Sequence, residues 1–227
     1  MVANSSAVAA LLTEGVVQVC GNCYAFAAIK ADGSVVSWGD AKSGGNSRLV
    51  APLLTEGVVQ MCGNGWAFAA IKADGSVVTW GEAESGGNSS AVAPLLTEGV
   101  VQVCGSCAAF AAIKADGSVV TWGSAIYGGN SSALAALLTE GVVQVCGNCY
   151  AFAAIKADGS VVTWGYRSNS RLVAPLLTKG VVQVCGTATA FAAVKADGSV
   201  VTWGDAACGG DSSAVAPLLT EGVVQVC

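Results

Sequence analysis

Three Cys-x-x-Cys pairs carry the most reactive side chains of this sequence: Cys20 with Cys23, Cys104 with Cys107, and Cys146 with Cys149. Two thiolates at this spacing can share one metal ion or close a small disulfide loop. The first cysteine of each pair, however, occupies a repeated position that also carries Cys62 and Cys185 without a partner. Buried cysteines are ordinary small core residues. The sequence therefore favours a structural role with no metal and no cofactor, and thiol-disulfide or metal-binding chemistry is kept as an alternative.

The 227 residues include no histidine, which removes the commonest general base, the Ser-His and Cys-His nucleophile pairs, and the commonest zinc ligand. Acidic side chains recur just before a glycine, at Glu14, Glu56, Glu98, Glu140 and Glu221. Carboxylates at equivalent positions of separate repeats lie too far apart to share a proton, so they indicate a solvated rim. We therefore predict a protein that is not an enzyme and has no catalytic residues.

The composition is that of a globular protein, with 53% hydrophobic and 11% charged residues. Its longest apolar runs, such as residues 23–29, are far shorter than the ~20 residues of a membrane-spanning helix. The N-terminus lacks the basic residue of a secretory signal, so we expect a cytoplasmic or nuclear location and no membrane partner. A net charge of −5, from 15 acidic and 10 basic residues, also disfavours nucleic acid as a partner.

One phrase recurs five times: Ala-Phe-Ala-Ala-(Ile/Val)-Lys-Ala-Asp-Gly-Ser-Val-Val-(Ser/Thr)-Trp-Gly. Its tryptophans are Trp38, Trp80, Trp122, Trp164 and Trp203. Their spacing gives a repeat of about 42 residues that is shortened once, before Trp203. The shorter interval arises because Tyr166, Arg167 and Ser168 stand where the first copy has the six residues 40–45. The loop after Trp-Gly therefore tolerates deletion, which is typical of a surface loop.

Each repeat predicts short strands. Residues 15–20 and 24–29 are strand-length apolar runs, the first rich in valine. Asp32-Gly33 suits the positive φ of a hairpin turn, after which residues 34–38 return as a strand. We expect hairpins at 24–39, 66–81, 108–123, 150–165 and 189–204. The stretch 48–54 is either a fourth strand or a helical turn, because Pro52 argues against a long helix.

Three or four short antiparallel strands with a period of about 40 residues are typical of β-propeller blades, since one unit cannot bury its faces alone. We predict an all-β propeller as a single domain over residues 1–227, with about five blades plus a half blade. The half blade is expected because the strand Val-Val-Gln-Val occurs six times, once as Val-Val-Gln-Met, and the hairpin only five times. Such an array is an open arc or a piece of a larger multidomain protein, and its exposed sheet edges would permit self-association.

The string Val-Val-Gln-Val-Cys-Gly, followed by the phrase that ends in Thr-Trp-Gly, resembles the repeat of the regulator of chromosome condensation family over nearly the whole chain. The short unit is similar to the branch that includes a bacterial β-lactamase-inhibiting propeller. This resemblance implies a propeller that binds proteins, and it permits guanine-nucleotide exchange on a small GTPase as an alternative function. The family's histidine is replaced here, which disfavours exchange. Its positions hold Tyr24, Trp66, Ala108, Tyr150 and Thr189.

The five copies differ mainly just after the first strand and in the loop after Trp-Gly. Aromatic residues beside variable charge are typical of protein-binding surfaces. By resemblance to the inhibitor branch, Tyr24, Trp66 and Tyr150 are the leading contact candidates, and the alternative is that they only cap the blade ends. The other candidates are Tyr127, Tyr166, Arg167, Arg171 and Arg48. The predicted function is a non-catalytic protein-protein interaction scaffold whose partner is another protein.

Overall fold

The computed structural model of this chain describes residues 8–168 and 170–226, and fifteen strands lie in these ranges. They are β1 (Val16–Gly21), β2 (Ala25–Lys30), β3 (Val35–Gly39), β4 (Val58–Gly63), β5 (Ala67–Lys72), β6 (Val77–Gly81), β7 (Val100–Gly105), β8 (Ala109–Lys114), β9 (Val119–Gly123), β10 (Val142–Gly147), β11 (Ala151–Lys156), β12 (Val161–Gly165), β13 (Val181–Gly186), β14 (Ala190–Lys195) and β15 (Val200–Gly204). Each three consecutive strands form one antiparallel sheet, from β1-β2-β3 to β13-β14-β15. These sheets are the first to fifth blades of an all-β propeller, as the repeat predicts.

The turn between the second and third strands of a blade requires glycine. In the second blade, Gly75 has a φ of +77°, a conformation that other residues rarely adopt. A Cβ at Gly75 would also lie 2.5 Å from the backbone nitrogen of Gly99, which leads into the next blade. The Asp74 carboxylate accepts a hydrogen bond from the Ser76 backbone N–H at 2.9 Å. The Asp-Gly turn therefore both closes its own hairpin and allows the next blade to approach.

Short helical segments join the blades, and none of the described helices is long and apolar enough to cross a membrane. The stretch that the sequence left open between strand and helical turn is a 3-10 helix, with Pro52 inside Arg48–Leu53. Leu54 follows it, is buried, and accepts a hydrogen bond from the Val35 N–H at 2.9 Å. The corresponding 3-10 segments are Ala9–Leu11, Ser90–Leu95, Ser132–Leu137, Ala174–Leu177 and Ser213–Leu218, and shorter helical turns lie at Ala41–Gly45, Ala83–Ser85, Ala125–Tyr127 and Ala206–Cys208.

The hydrophobic core lies between blades rather than within them. Ala27 and Ile29 of the first blade pack against Val58, Phe68 and Trp80 of the second. The alanine side chains are small enough for the sheets to approach closely, and Phe68 stacks on Trp80 with ring centroids 5.3 Å apart. Burying one such phenylalanine contributes about 1.5–3 kcal/mol. The same cluster recurs at the next three boundaries, so each blade is stabilised mainly by its neighbours.

The described blades form an open arc. The first strands of consecutive blades contact one another, which places them on the inside of the arc. Among the described elements, no close packing joins the first sheet to the fifth. Phe26 in the first blade is accordingly 45% exposed, whereas its equivalent Phe68 is 0% exposed. The sixth Val-Val-Gln-Val copy keeps the hydrogen bond from the Val223 N–H to the Gly198 carbonyl at 3.1 Å but is not a strand.

Candidate protein-binding surface

The two variable regions of the repeat meet at one end of each blade. The backbone N–H of Asp40 donates to the Tyr24 carbonyl at 2.9 Å, and the N–H of Tyr166 donates to the Tyr150 carbonyl at 3.0 Å. The Asp-Gly turns lie at the other end of the same strands. We call the first end the loop face, defined as residues 22–24 and 40–47 with their equivalents in the other blades. The sequence differences between repeats are therefore displayed together on this face.

An asparagine that the sequence analysis did not single out fixes the two loops to each other. The side-chain oxygen of Asn64 accepts hydrogen bonds from the backbone N–H groups of Trp66 at 2.9 Å and Ala67 at 2.8 Å. Its side-chain amide donates to the Ser85 carbonyl at 2.5 Å. Asn22 makes the same contacts in the first blade. The recurring Gly-Asn after the first strand was the sequence signal for this role.

The first aromatic cluster consists of Tyr24 and Trp66. Their rings stack across the boundary between the first and second blades, with centroids 4.7 Å apart and an interplanar angle of 26°. Tyr24 is 52% exposed and Trp66 is 36% exposed. Each ring therefore covers one face of its neighbour, while part of each side chain remains accessible to solvent.

The second aromatic cluster consists of Tyr127, Tyr150, Tyr166 and Arg167. Tyr127 stacks on Tyr150 across the boundary between the third and fourth blades, with centroids 5.4 Å apart. Tyr166 meets Tyr150 edge-on at 6.1 Å. The guanidinium of Arg167 lies over the Tyr166 ring at 5.6 Å, and its Nη1 lies 3.5 Å from Asp205 Oδ2 of the fifth blade. The third and fourth blades therefore supply the cluster, and its arginine reaches the fifth.

Arg167 adopts a backbone conformation that is unusual for its residue type. Its φ is 58°, and it is the only non-glycine residue in the described ranges with a positive φ. A left-handed conformation costs about 1–2 kcal/mol for a residue with a Cβ. A hydrogen bond with Tyr166 and, less strongly, the charge of Asp205 raise the pKa of Arg167 above its ordinary value. The shortened loop thus holds a permanent positive charge beside the tyrosines.

The remaining two candidates lie apart from the clusters. Arg48 begins the 3-10 helix Arg48–Leu53, and Arg171 occupies the equivalent position in the fourth repeat. Both side chains are exposed. Within the described ranges, neither guanidinium lies over an aromatic ring. The structure therefore places six of the eight residues that the sequence proposed for partner contact in two separate clusters.

The thiols are arranged across blades rather than in pairs within one blade. Burial and the charges of Cys104 and Cys20 raise the pKa of Cys62 to about 12. Burial and the charges of Cys104 and Cys185 likewise raise the pKa of Cys146 to about 12. The first cysteines of consecutive repeats are thus neighbours on the inner strands. The nine cysteines of the described ranges are free thiols, and no group of three His, Cys, Asp or Glu residues there could hold a metal ion.

The opposite end of the blades is a charged rim. Glu56, Lys72 and Asp74 line a shallow depression together with Asp32 of the preceding hairpin. The Ser76 hydroxyl and backbone N–H lower the pKa of the Asp74 carboxyl. Among the described residues, the pair of Arg167 with Asp205 is the one ion pair within 4.0 Å, so the rim charges are not paired with each other. Exposed valines such as Val101 lie beside the charges, and among the described residues this end has no aromatic cluster.

Comparison with known proteins identifies the fold. No family model matches the sequence, and no curated protein matches it. Among solved structures, human WBSCR16 is similar, with 17% identity, a TM-score of 0.56, and coverage of 91% of this chain and 65% of that chain. Yeast RCC1 (Prp20) in its complex with Kap60 has 16% identity, a TM-score of 0.56, and coverage of 83% of this chain and 56% of that chain.

The ectodomain of the Arabidopsis thaliana receptor kinase ACR4 has 18% identity, a TM-score of 0.52, and coverage of 83% of this chain and 65% of that chain. The present chain therefore spans less than two thirds of the length of each of these three structures. At this level of identity the likeness shows the fold alone, which is an RCC1-like β-propeller.

Proposed function

We propose that this chain is a non-catalytic binding module whose loop face engages another protein through the two aromatic clusters. The observation that carries the proposal is the gathering of Tyr24 with Trp66, and of Tyr127 with Tyr150 and Tyr166, on one face of the propeller. The Asp-Gly end of the blades carries solvated charge and exposed valines such as Val101, and among the described residues no aromatic cluster lies there. The RCC1-like fold supports the proposal, because the similar Saccharomyces cerevisiae protein Prp20p has binding properties toward Gsp1p and histones.

The chemistry of these side chains suits protein recognition. Tyrosine and tryptophan supply a large contact area with few rotatable bonds, and they dominate the binding energy of many protein interfaces. Because the rings already stack on each other, less side-chain freedom is lost when a partner binds. Arg167 adds a cation at the edge of the second cluster. We therefore propose a protein partner with an apolar patch bordered by acidic or carbonyl groups.

The remaining parts of the proposal follow from charge and composition. A net charge of −5 opposes binding to phosphate backbones, so nucleic acid is not a proposed partner, and neither is a membrane. We propose that residues 1–227 act as one propeller domain in the cytoplasm or nucleus. Nucleotide exchange gains no specific support, because the family's histidine positions carry Tyr24 and Trp66 among others. Cys-x-x-Cys chemistry gains none either, because the thiols are distributed across blades.

The test compares two exposed hydrophobic side chains, one on the loop face and one away from it. A partner captured with the wild-type chain would be purified and its Kd measured by calorimetry with Trp66→Ala and with Val101→Ala. Val101 is 56% exposed and lies beside Lys114 and Asp116 at the Asp-Gly end of its blade, so it controls for the loss of a surface hydrophobic group. We expect Trp66→Ala to weaken binding about tenfold or more, which is about 1.4 kcal/mol, and Val101→Ala to leave it unchanged. Equal effects of the two substitutions would refute the assignment to the loop face.

A further inference from the structure

A line of backbone hydrogen bonds joins consecutive blades at the position of the second cysteine of the Cys-x-x-Cys pairs. The N–H of Gly65 donates to the Cys107 carbonyl at 2.9 Å, the N–H of Cys107 to the Cys149 carbonyl at 3.1 Å, and the N–H of Cys149 to the Ala188 carbonyl at 3.0 Å. Cys23 begins the line with a longer bond of 3.4 Å to the Gly65 carbonyl. At this position, only the boundary between the third and fourth blades has a cysteine on both sides, Cys107 and Cys149.

The geometry at that boundary is compatible with a disulfide bond. A hydrogen bond of 3.1 Å from the nitrogen of Cys107 to the oxygen of Cys149 keeps their Cα atoms within roughly 7 Å, which is about the upper limit for a disulfide. The Cys149 side chain is also a close neighbour of the Cys107 thiol, whose pKa it raises. Both side chains are half-buried, so a small oxidant can reach them.

We propose that Cys107 and Cys149 form a redox-sensitive site, at which a low-molecular-weight disulfide such as glutathione disulfide oxidises the two thiols to an inter-blade disulfide. The Cys149 thiolate attacks one sulfur of the small disulfide, forms a mixed disulfide and releases one small thiol. Cys107 then attacks the Cys149 sulfur and releases the second small thiol, which takes up the remaining proton. Two protein thiols are oxidised and one small disulfide is reduced to two thiols.

The order of attack follows from the surroundings of the two thiols. Burial, then the neighbouring Cys149 side chain, and last the charge of Cys23 raise the pKa of Cys107 to about 12. Since the thiolate is the attacking species, Cys107 keeps its proton in the first step and acts in the second. The inner-strand thiols Cys62 and Cys146, whose pKa is also about 12, are poor nucleophiles near neutral pH. Cys23 is exposed and its charge reaches Cys107, but its own backbone bond in the line is the longer one, to Gly65, so a bond from Cys23 to Cys107 is the competing outcome.

The bond would fix one boundary of the loop face. Tyr150 follows Cys149 directly and stacks on Tyr127 of the third blade. A disulfide between Cys107 and Cys149 would hold these two blades together at the point where the rings meet. The site is independent of the proposed partner, because the oxidation can be measured on the isolated full chain.

The experiment uses tryptic cleavage after lysine, which places Cys107 and Cys149 in different peptides. The reduced full chain would be equilibrated with glutathione disulfide, its free thiols would be alkylated, and trypsin would then cut after Lys72, Lys114 and Lys156. A bond between Cys107 and Cys149 links the peptide 73–114 to the peptide 115–156. A bond within either Cys-x-x-Cys pair links no two peptides. We expect the linked peptides, an intact mass lower by two hydrogen atoms, and an upward shift in Tm that dithiothreitol reverses.

Three variants assign the bond. Cys107→Ser and Cys149→Ser should each abolish the linked peptides, while Cys23→Ser should leave them unchanged. Circular dichroism under reducing conditions confirms that each variant is folded before oxidation. The proposal is overturned if Cys149 carries only glutathione without a link to Cys107, if the bond forms within one Cys-x-x-Cys pair, or if both thiols remain fully alkylated at oxidant concentrations that modify Cys23.

Discussion

In the second to fifth blades, the tryptophan at the end of the third strand joins its blade to the preceding one, and its substitution tests this contact. The indole N–H of Trp122 donates to the Gly86 carbonyl of the preceding blade at 3.0 Å, whereas that of Trp203 has no acceptor among the described residues. The cause lies in the fourth blade, where residues 166–168 replace the longer loop that carries the accepting glycine. The two tryptophans are otherwise alike: they are 4% and 3% exposed, and each stacks on a phenylalanine with centroids 5.4 Å apart.

Substitution by phenylalanine separates the hydrogen bond from the loss of volume. Trp122→Phe and Trp203→Phe remove the same atoms from similar surroundings. The first also removes a hydrogen bond and leaves the Gly86 carbonyl without its donor, while the second removes a buried donor that lacks a partner. A buried unsatisfied polar group costs about 1–3 kcal/mol. We therefore expect Trp122→Phe to lower the free energy of unfolding by about 1–3 kcal/mol more than Trp203→Phe does.

The measurement is equilibrium urea unfolding followed by circular dichroism. Equal m values in the variants would show that the same transition is compared. Trp164→Phe serves as a second reference, because Trp164 donates to the Gly128 carbonyl at 3.0 Å and should behave like Trp122. If Trp203→Phe were as costly as both of the others, the indole of Trp203 would have to be satisfied, and the reasoning from the shortened loop would be wrong.

Two further substitutions test the packing and the charged rim. Gly86 and Gly209 both have a φ of +94°, but an added Cβ would lie 2.8 Å from the Phe110 ring only at Gly86 and would meet nothing within 4 Å at Gly209. We expect Gly86→Ala to reduce the free energy of unfolding by about 1–3 kcal/mol more than Gly209→Ala, and equal losses in urea titrations would contradict the steric argument. Because the Ser76 hydroxyl lowers the pKa of Asp74, Ser76→Ala should raise that pKa toward its ordinary value, as read from carboxyl carbon chemical shifts. A carboxyl whose pKa is lowered by folding stabilises the fold at pH values above its unfolded pKa of about 3.9, and it ceases to do so as the pH falls through its folded pKa. Ser76→Ala should therefore lose less stability than the wild type between about pH 5 and pH 2. An unchanged pKa of Asp74 in the variant would contradict the hydrogen bond.

The architecture could be predicted from the sequence because its signals are local and repeated. The Asp-Gly turn, the valine-rich strands and the regular recurrence of Trp-Gly predict five antiparallel blades, and the sheets agree. The stretch 48–54 could not be assigned, because an apolar run with Pro52 suits either an edge strand or a tight helical turn. Its conformation depends on a tertiary contact, the hydrogen bond from the Val35 N–H to the Leu54 carbonyl, which no local pattern indicates.

The candidate surface was only partly visible in the sequence. The copies differ at Tyr24 and Trp66, but a separation of one repeat along the chain does not say that the rings at equivalent positions of neighbouring blades lie 4.7 Å apart. For the cysteines, likewise, closeness in sequence does not predict closeness in the structure. Cys104 lies on an inner strand and Cys107 in the following loop, so the nearest thiol to Cys107 on the line of backbone bonds is Cys149 of the next blade rather than its neighbour in sequence.

In this array, residues one repeat apart in the chain become neighbours across a blade boundary, so an irregularity in one repeat changes the boundary with the next. The short loop of the fourth blade shows both consequences. It removes the glycine carbonyl that would accept from Trp203, and it places Tyr166 and Arg167 beside Tyr150, with Arg167 in a left-handed conformation. The unpaired indole and the left-handed Arg167 are each destabilising, and the same short loop supplies the one cation-bearing cluster of the loop face among the described residues. Local rules are most often broken at sites under functional constraint, and on that ground the second aromatic cluster, rather than the regular Tyr24 and Trp66 pair, is the better candidate for the centre of the interface.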